Sequence, residues 1–143
     1  MTPPSSLDYA GDISVQDAWS RLQAGARLVD VRTIAEWNFV GLPDLGAVGA
    51  EVHCVEWQSF PTGAQNPDFV AAVEAELGSD RAAPVLLLCR SGARSRAAAI
   101  ALTRAGYAQA FNVAGGFEGD IDGDGHRGRR NGWKAAGLPW RQG

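Results

Sequence analysis

The chain has no stretch approaching the roughly 20 consecutive apolar residues that span a bilayer, so a transmembrane helix and a membrane partner are not expected. Met1 to Asp12 lacks both a basic start and an apolar run, which argues against a secretory signal and for a cytoplasmic setting. Cysteine is scarce: Cys54 and Cys89 are too few for a disulfide-stapled scaffold and read as two free thiols in a reducing compartment. No Lys/Arg-dense run with interleaved aromatics occurs, and the net charge is -3, so nucleic acid is a poor partner. Internal repeats are absent. What is present is 45% apolar and 20% charged residues over 143 positions, enough for one soluble domain around one core.

Charge is unevenly placed. Residues 1–81 carry four basic and twelve acidic side chains, whereas the remainder carries nine basic and four acidic. The cationic half also holds Cys89, and a cationic region concentrates small anions. A solvated basic face without a partner is the plainer reading of the asymmetry alone.

Residues 1–11 read as a flexible arm, and 12–143 as a single domain. Ser14 is placed to cap a helix to about Ala24, with Val15, Ala18, Trp19 and Leu22 on one face, and Gly25 stops it. Arg27–Val31 has strand character. Thr33 and Glu36 have capping-box spacing for a short helix ending at Gly41. A strand is expected within Ala47–Val55. Asn66 and Pro67 open a helix with Phe69, Val70, Val73 and Leu77 on its apolar face, closed by Gly78. Pro84–Leu88 reads as a buried strand. An Ala-rich helix follows it to Gly106, whose small side chains allow close approach to a sheet. Ala110–Val113 is one more strand, and Gly115–Gly132 a long loop. Strands alternating with helices predict an α/β fold: a mostly parallel sheet of about five strands, with helices on both faces.

The chemistry concentrates where the Val85–Leu88 strand meets the next helix. There the chain reads Cys89-Arg90-Ser91-Gly92-Ala93-Arg94-Ser95. In open α/β sheets ligands gather beyond the carboxyl ends of the strands. A short loop entering a helix presents backbone N–H groups and the positive end of the helix dipole. With the charges of Arg90 and Arg94, this setting should favour the thiolate, the reactive form of cysteine. The same donors suit an anion or the terminal sulfur of a persulfide. Ser91 and Ser95 add hydroxyl donors, and Gly92 lets the backbone turn tightly. An isolated cysteine at a strand end would simply be a buried thiol. The two arginines, two serines and glycine that follow it favour a functional loop.

The segment Cys89–Arg94 resembles the six-residue active-site loop of rhodanese-domain sulfurtransferases. Leu28-Val29-Asp30-Val31-Arg32 with Glu36-Trp37 is similar to that family's N-terminal signature, and Val113-Ala114-Gly115-Gly116-Phe117 to its second. Asn131–Pro139 is similar to the ending of many single-domain members. The resemblance runs from about Ile13 to Trp140 and implies a rhodanese-like fold. It further implies that a small anionic donor, such as thiosulfate, passes its outer sulfur to Cys89, with Arg90–Ser95 forming the donor and persulfide pocket. The Cys89 persulfide would then hand that sulfur to cyanide or a thiol, including a protein thiol, in ping-pong fashion. It implies no metal and no cofactor. One segment departs from the family: many members have Gly-His-Ile-Pro-Gly-Ala where this chain has Gly41–Ala47, which puts the rim of the pocket in question.

A Cys-dependent phosphatase or arsenate reductase is the nearest rival, but the rhodanese-fold phosphatases that this chain resembles have a loop one residue longer. Four residues separate Cys89 from Arg94, a cradle sized for one sulfur atom rather than a phosphoryl group. A non-turnover persulfide carrier or regulatory module is the rival of a different class. Asp120, Asp122, Asp124 and Gly125 begin a calcium-loop pattern, but Asn131 stands where a bidentate Glu is expected, so a solvated turn is the better reading. His53 and Cys54 lack further ligands at metal spacing, and Cys54 as a resolving thiol has no support. Asp30 and Arg32 read as structural at a strand end, Trp19, Trp37 and Trp133 as packing residues, and His126 as exposed. Arg127, Arg129 and Arg130 read as a solvated basic stretch that can extend the positive field.

Overall fold

The computed structural model describes residues 8–78 and 80–142. β1 (Gly11–Ile13) leads into α1 (Val15–Gln23), where the Ser14 side chain accepts the Asp17 N–H at 3.0 Å. This is the cap read from sequence, and Val15, Ala18 and Leu22 are the buried face. β2 (Arg27–Asp30) precedes α2 (Ile34–Phe39), which opens with the complete Thr33–Glu36 capping box. β3 (Leu42–Pro43) and a single 3₁₀ turn at Gly46–Val48 lead to β4 (Val52–Cys54). The strand expected within Ala47–Val55 is therefore only its last part. α3 (Phe69–Leu77), β5 (Val85–Leu88), α4 (Ala93–Arg104) and β6 (Ala110–Val113) follow. The chain closes with α5 (Gly132–Ala135) and β7 (Trp140–Arg141).

The main sheet has five strands in the order β1-β6-β5-β2-β4, every neighbouring pair parallel. A parallel sheet buried on both faces needs apolar residues at successive positions, and Val85–Leu88 supplies them with no solvent exposure. Val85 and Leu87 pack with Phe69, Val73, Ala98 and Leu102 from α3 and α4. Leu86 and Leu88 pack on the opposite face with Val15, Ala18 and Leu22 of α1 and with Trp133. Burying such side chains stabilises the fold by roughly 2 kcal/mol each. Ala98 and Ala99 are fully buried, as the close-packing reading of the Ala run requires.

Two features differ from the sequence reading. Tyr9 is buried in the core and the Ala10 N–H bonds to the Ala110 carbonyl at 3.0 Å, so chain 8–11 packs into the domain; residues 1–7 of the expected arm lie outside the described residues. β3 and β7 form a small antiparallel sheet that ties the C-terminal segment to the segment after α2. Among the described residues no helix is long and apolar enough to cross a membrane.

The turn after β6 supports the loop after β5 from beneath. Phe117 N–H bonds to the Cys89 carbonyl at 2.8 Å, and Glu118 and Gly119 N–H to that of Arg90 at 3.0 and 3.1 Å. Gly116 has φ 63°, and a Cβ there would stand 2.5 Å from the Cys89 carbonyl oxygen. Gly116→Ala is therefore expected to cost about 3 kcal/mol, lowering Tm by about 10 °C. Thermal unfolding of the variant measures this; an unchanged Tm would show that the turn yields freely.

Candidate active site

Cys89 follows β5 directly and is 1% exposed. Its Sγ receives the backbone N–H of Gly92 at 3.1 Å and lies 3.2 Å from the Ser95 Oγ. Gly92 has φ 120°, a backbone angle that side-chain-bearing residues rarely adopt, and this turn aims its N–H at the sulfur. Ser95, fully buried in the first turn of α4, points back at the same atom. Two donors from the strand-to-helix loop thus converge on one sulfur, next to the N-terminal end of a twelve-residue helix.

The remaining loop residues separate by role. Arg90 is exposed, and its guanidinium makes no ion pair or hydrogen bond among the described residues. Ser91 is half-buried and Ala93 exposed, and neither side chain contacts the sulfur by a hydrogen bond. Arg94 forms a two-pronged pair with Glu36, Nη1–Oε1 2.7 Å and Nη2–Oε2 2.9 Å. Burial opposes ionisation of Glu36, but the Arg94 hydrogen bonds and charge, with the Thr33 amide, outweigh it and hold the carboxyl below the usual range. The same hydrogen bonds hold the Arg94 guanidinium above its ordinary value. Arg94 is a cation already neutralised, so the loop's uncommitted charge is that of Arg90.

Arg90 and Arg94 line one side of an open cleft of about 590 Å³. Glu36 and Phe39 come from α2, Phe60 from the 56–65 loop, and Arg127 from the long loop after β6. Phe39 is 80% and Phe60 68% exposed, so the rim is strongly apolar. None of the departing segment Gly41–Ala47 lines this cleft. Its Gly41 carbonyl instead accepts from Arg32 at 2.7 Å, and β3 pairs with β7.

Asp30 and Arg32 are fully buried and paired at 2.7 Å, with the guanidinium stacked 4.2 Å over the Phe117 ring. They fix the end of β2. Trp133 is buried and packs edge-on against Trp19 at 5.8 Å. Trp37 is half-buried in α2. His53 pairs with Glu76 at 3.2 Å. Asp30 stands opposite both Leu88 and Cys54 in the sheet, so Cys54 lies two strands from Cys89, about 10 Å at ordinary strand spacing. That exceeds the roughly 7 Å Cα limit for a disulfide. Partial burial and then the Asp30 charge push the Cys54 thiol up to about 12, leaving it protonated although the residue is solvent-accessible.

The acidic loop pairs internally. The Asp122 carboxylate accepts N–H groups of His126 and Asp124 at 2.9 Å each and Nε of Arg129 at 2.9 Å, while Asn131 closes on Asp120. An arginine occupies the place a cation would take, and among the described residues no cluster of three metal-ligating side chains forms. His126 is exposed, with Nδ1 2.6 Å from Arg129. This folding of the loop separates its three arginines: Arg129 is spent on Asp122, Arg130 lies elsewhere, and Arg127 enters the cleft while donating to the Gly119 carbonyl at 2.6 Å.

Sequence reasoning did not connect Asn112 to the site. Its Oδ1 accepts from Ser95 Oγ at 2.5 Å, and its Nδ2 donates to Asp12 Oδ1 at 2.8 Å. The available signal was a polar residue inside the otherwise apolar strand Ala110–Val113.

The family model of the rhodanese-like domain matches residues 14–121. The crystal structure of Rv0390 from M. tuberculosis is 51% identical, with TM-score 0.86, over 94% of this chain and 99% of that one. Thiosulfate sulfurtransferase GlpE of Haemophilus influenzae is 29% identical over 108 residues, 76% of this chain and 85% of that protein. The solution structure of the polysulfide-sulfur transferase homodimer of Wolinella succinogenes is 25% identical, with TM-score 0.62, over 95% of this chain and 80% of that one.

Proposed function

Since the chain belongs to the rhodanese-like domain family, we propose that it is a sulfurtransferase working through a persulfide on Cys89. The observation that carries this reading is the convergence of the Gly92 N–H and Ser95 hydroxyl on a buried sulfur. In the first half-reaction the Cys89 thiolate attacks the outer sulfur of a thiosulfate-class donor. The donor S–S bond breaks, and sulfite leaves with the electron pair. In the second, an acceptor thiolate or cyanide attacks the outer sulfur of the persulfide, and the electron pair of the broken S–S bond returns to Cys89. Donors fixed before the reaction stabilise the charge without reorganising. No metal or organic cofactor enters this scheme, and its setting is the reducing cytoplasm, where both thiols persist.

Donor binding falls to Arg90 and Arg127, whose charges face the cleft without a carboxylate partner among the described residues. Replacing either with alanine should raise KM for thiosulfate about 5–10-fold and change kcat by less than about twofold, the signature of lost ground-state binding. Steady-state kinetics with cyanide as acceptor tests this, and unchanged KM values for both variants would remove the assignment. The spent charge of Arg94 also disfavours the phosphatase reading, which needs that guanidinium free for phosphoryl oxygens.

A second reading, the carrier that delivers its sulfur to one protein, is favoured by the exposed rings of Phe39 and Phe60 at the cleft mouth. Exposed apolar side chains gathered on one rim, as Phe39 and Phe60 are on this cleft, suit a surface that meets a partner. Turnover between small donors and cyanide supports the enzyme reading; persulfide formation without turnover supports the carrier.

A further inference from the structure

The Ser95 hydroxyl has one proton and two acceptors within reach: the Cys89 sulfur at 3.2 Å and the Asn112 carbonyl oxygen at 2.5 Å. Ser95 is fully buried and Asn112 is 1% exposed, so water does not compete at either position. The Asn112 amide is itself oriented. Its Nδ2 faces the Asp12 carboxylate at 2.8 Å, and the same carboxylate oxygen takes the Tyr9 hydroxyl at 2.8 Å. Turning the amide over would set its carbonyl against that carboxylate. The Asp12 charge therefore fixes which end of Asn112 meets Ser95. A continuous chain runs from the sulfur through α4 and β6 to β1, joining residues 100 positions apart.

We propose that Asn112 is a positioning residue, which, together with Asp12, makes the Ser95 hydroxyl a two-position donor for Cys89. The proposal rests on the reading of Cys89 as a thiolate nucleophile. While the sulfur is neutral, as a thiol or as the inner sulfur of a persulfide, it is a poor acceptor, and the Ser95 proton rests on Asn112. In the thiol form the S–H proton points at the Ser95 oxygen. When an acceptor thiolate takes the outer sulfur, the S–S bond breaks and its electron pair stays on Cys89. The Ser95 proton then turns to the new thiolate, beside the fixed Gly92 N–H. Asn112 thus keeps the buried hydroxyl satisfied in one half of the cycle and releases it in the other.

The charged groups around the loop and its hydrogen-bonded chain include Arg90 and Arg94 on the loop, Glu36 of α2 against Arg94, the Asp30–Arg32 pair at the end of β2, and Asp12 on β1 with Arg96 of α4 3.9 Å from its carboxylate. Asn112→Ala alters none of these charges, so a shift it causes is not a field effect. The test is the pH dependence of Cys89 alkylation by iodoacetamide, measured in a Cys54→Ser background. Asn112→Ala leaves the sulfur as the sole acceptor for Ser95, and the midpoint of the rate should fall by about half a pH unit or more. In a Ser95→Ala background the same substitution should not move it. Asp12→Asn, on the exposed side, frees the amide to turn and should lower the midpoint more with Ser95 present than in the Ser95→Ala background; it serves if Asn112→Ala folds poorly. Equal shifts in both backgrounds, or none with Ser95 present, would overturn the proposal. Alkylation reads the thiolate without any sulfur donor, so a protein inert to thiosulfate could still show the coupling, and the two failures remain distinguishable.

Discussion

Cys89→Ser should reduce thiosulfate–cyanide sulfur transfer by at least about a thousandfold while leaving the domain folded. The substitution keeps a side chain of similar size at the end of β5, where it packs below the loop with little exposed surface. What it removes is the polarisable sulfur nucleophile. The Gly92 N–H and the Ser95 hydroxyl converge on this position, but a serine hydroxyl is many orders of magnitude less acidic than a thiol and a far weaker nucleophile toward sulfur. Initial rates of thiocyanate formation, beside a Tm within about 3 °C of the parent, check both halves of the expectation. A variant that kept an appreciable rate would move the chemistry away from this loop.

Glu36→Gln has the second large effect, because one carboxylate holds two structures at once. It completes the capping box with Thr33 and clamps Arg94, with both side chains of the ion pair about one-fifth exposed. Breaking such a pair leaves a partly buried guanidinium without its partner, and about 2 kcal/mol of stability should go at neutral pH. Arg94, untethered on the first turn of α4, should also loosen the loop, lowering kcat/KM about tenfold or more. The pH dependence has a fixed sign. The Glu36 carboxyl is held below its ordinary value in the folded state, so the pair stabilises fully above the ordinary glutamate range. That contribution declines as pH falls through about 4 and is lost below the lowered value. The Tm gap between parent and Glu36→Gln should therefore be widest near neutrality and close in acid. A gap independent of pH would mean that the effect comes from helix capping alone.

The parts of the fold written in short-range signals were legible in the sequence. Ser14, the Thr33–Glu36 box and Pro84–Leu88 each act through neighbours a few residues away, and each appears as read. The loop Cys89–Ser95 was legible for the same reason: its donors and sulfur lie within seven consecutive residues. What escaped depends on pairing across the chain. β1 has three residues and is a strand because β6 provides its hydrogen bonds, and β3 and β7 exist only as each other's partners. Arg94 reads as an anion receptor in its own segment, and only the fold brings Glu36, 58 positions away in the chain, to pair with it. Arg127 reads as one of three arginines in a basic stretch, and only the folded loop distinguishes it, with Arg129 paired to Asp122 and Arg127 lining the cleft.

Intact-protein mass measurement after incubation with thiosulfate, beside the Cys89→Ser protein, tests the persulfide most directly. The parent alone should gain the mass of one sulfur atom, and cyanide should remove it. A parent that gains nothing from thiosulfate or from a polysulfide, or a Cys89→Ser protein that gains as much as the parent, would contradict a persulfide on Cys89.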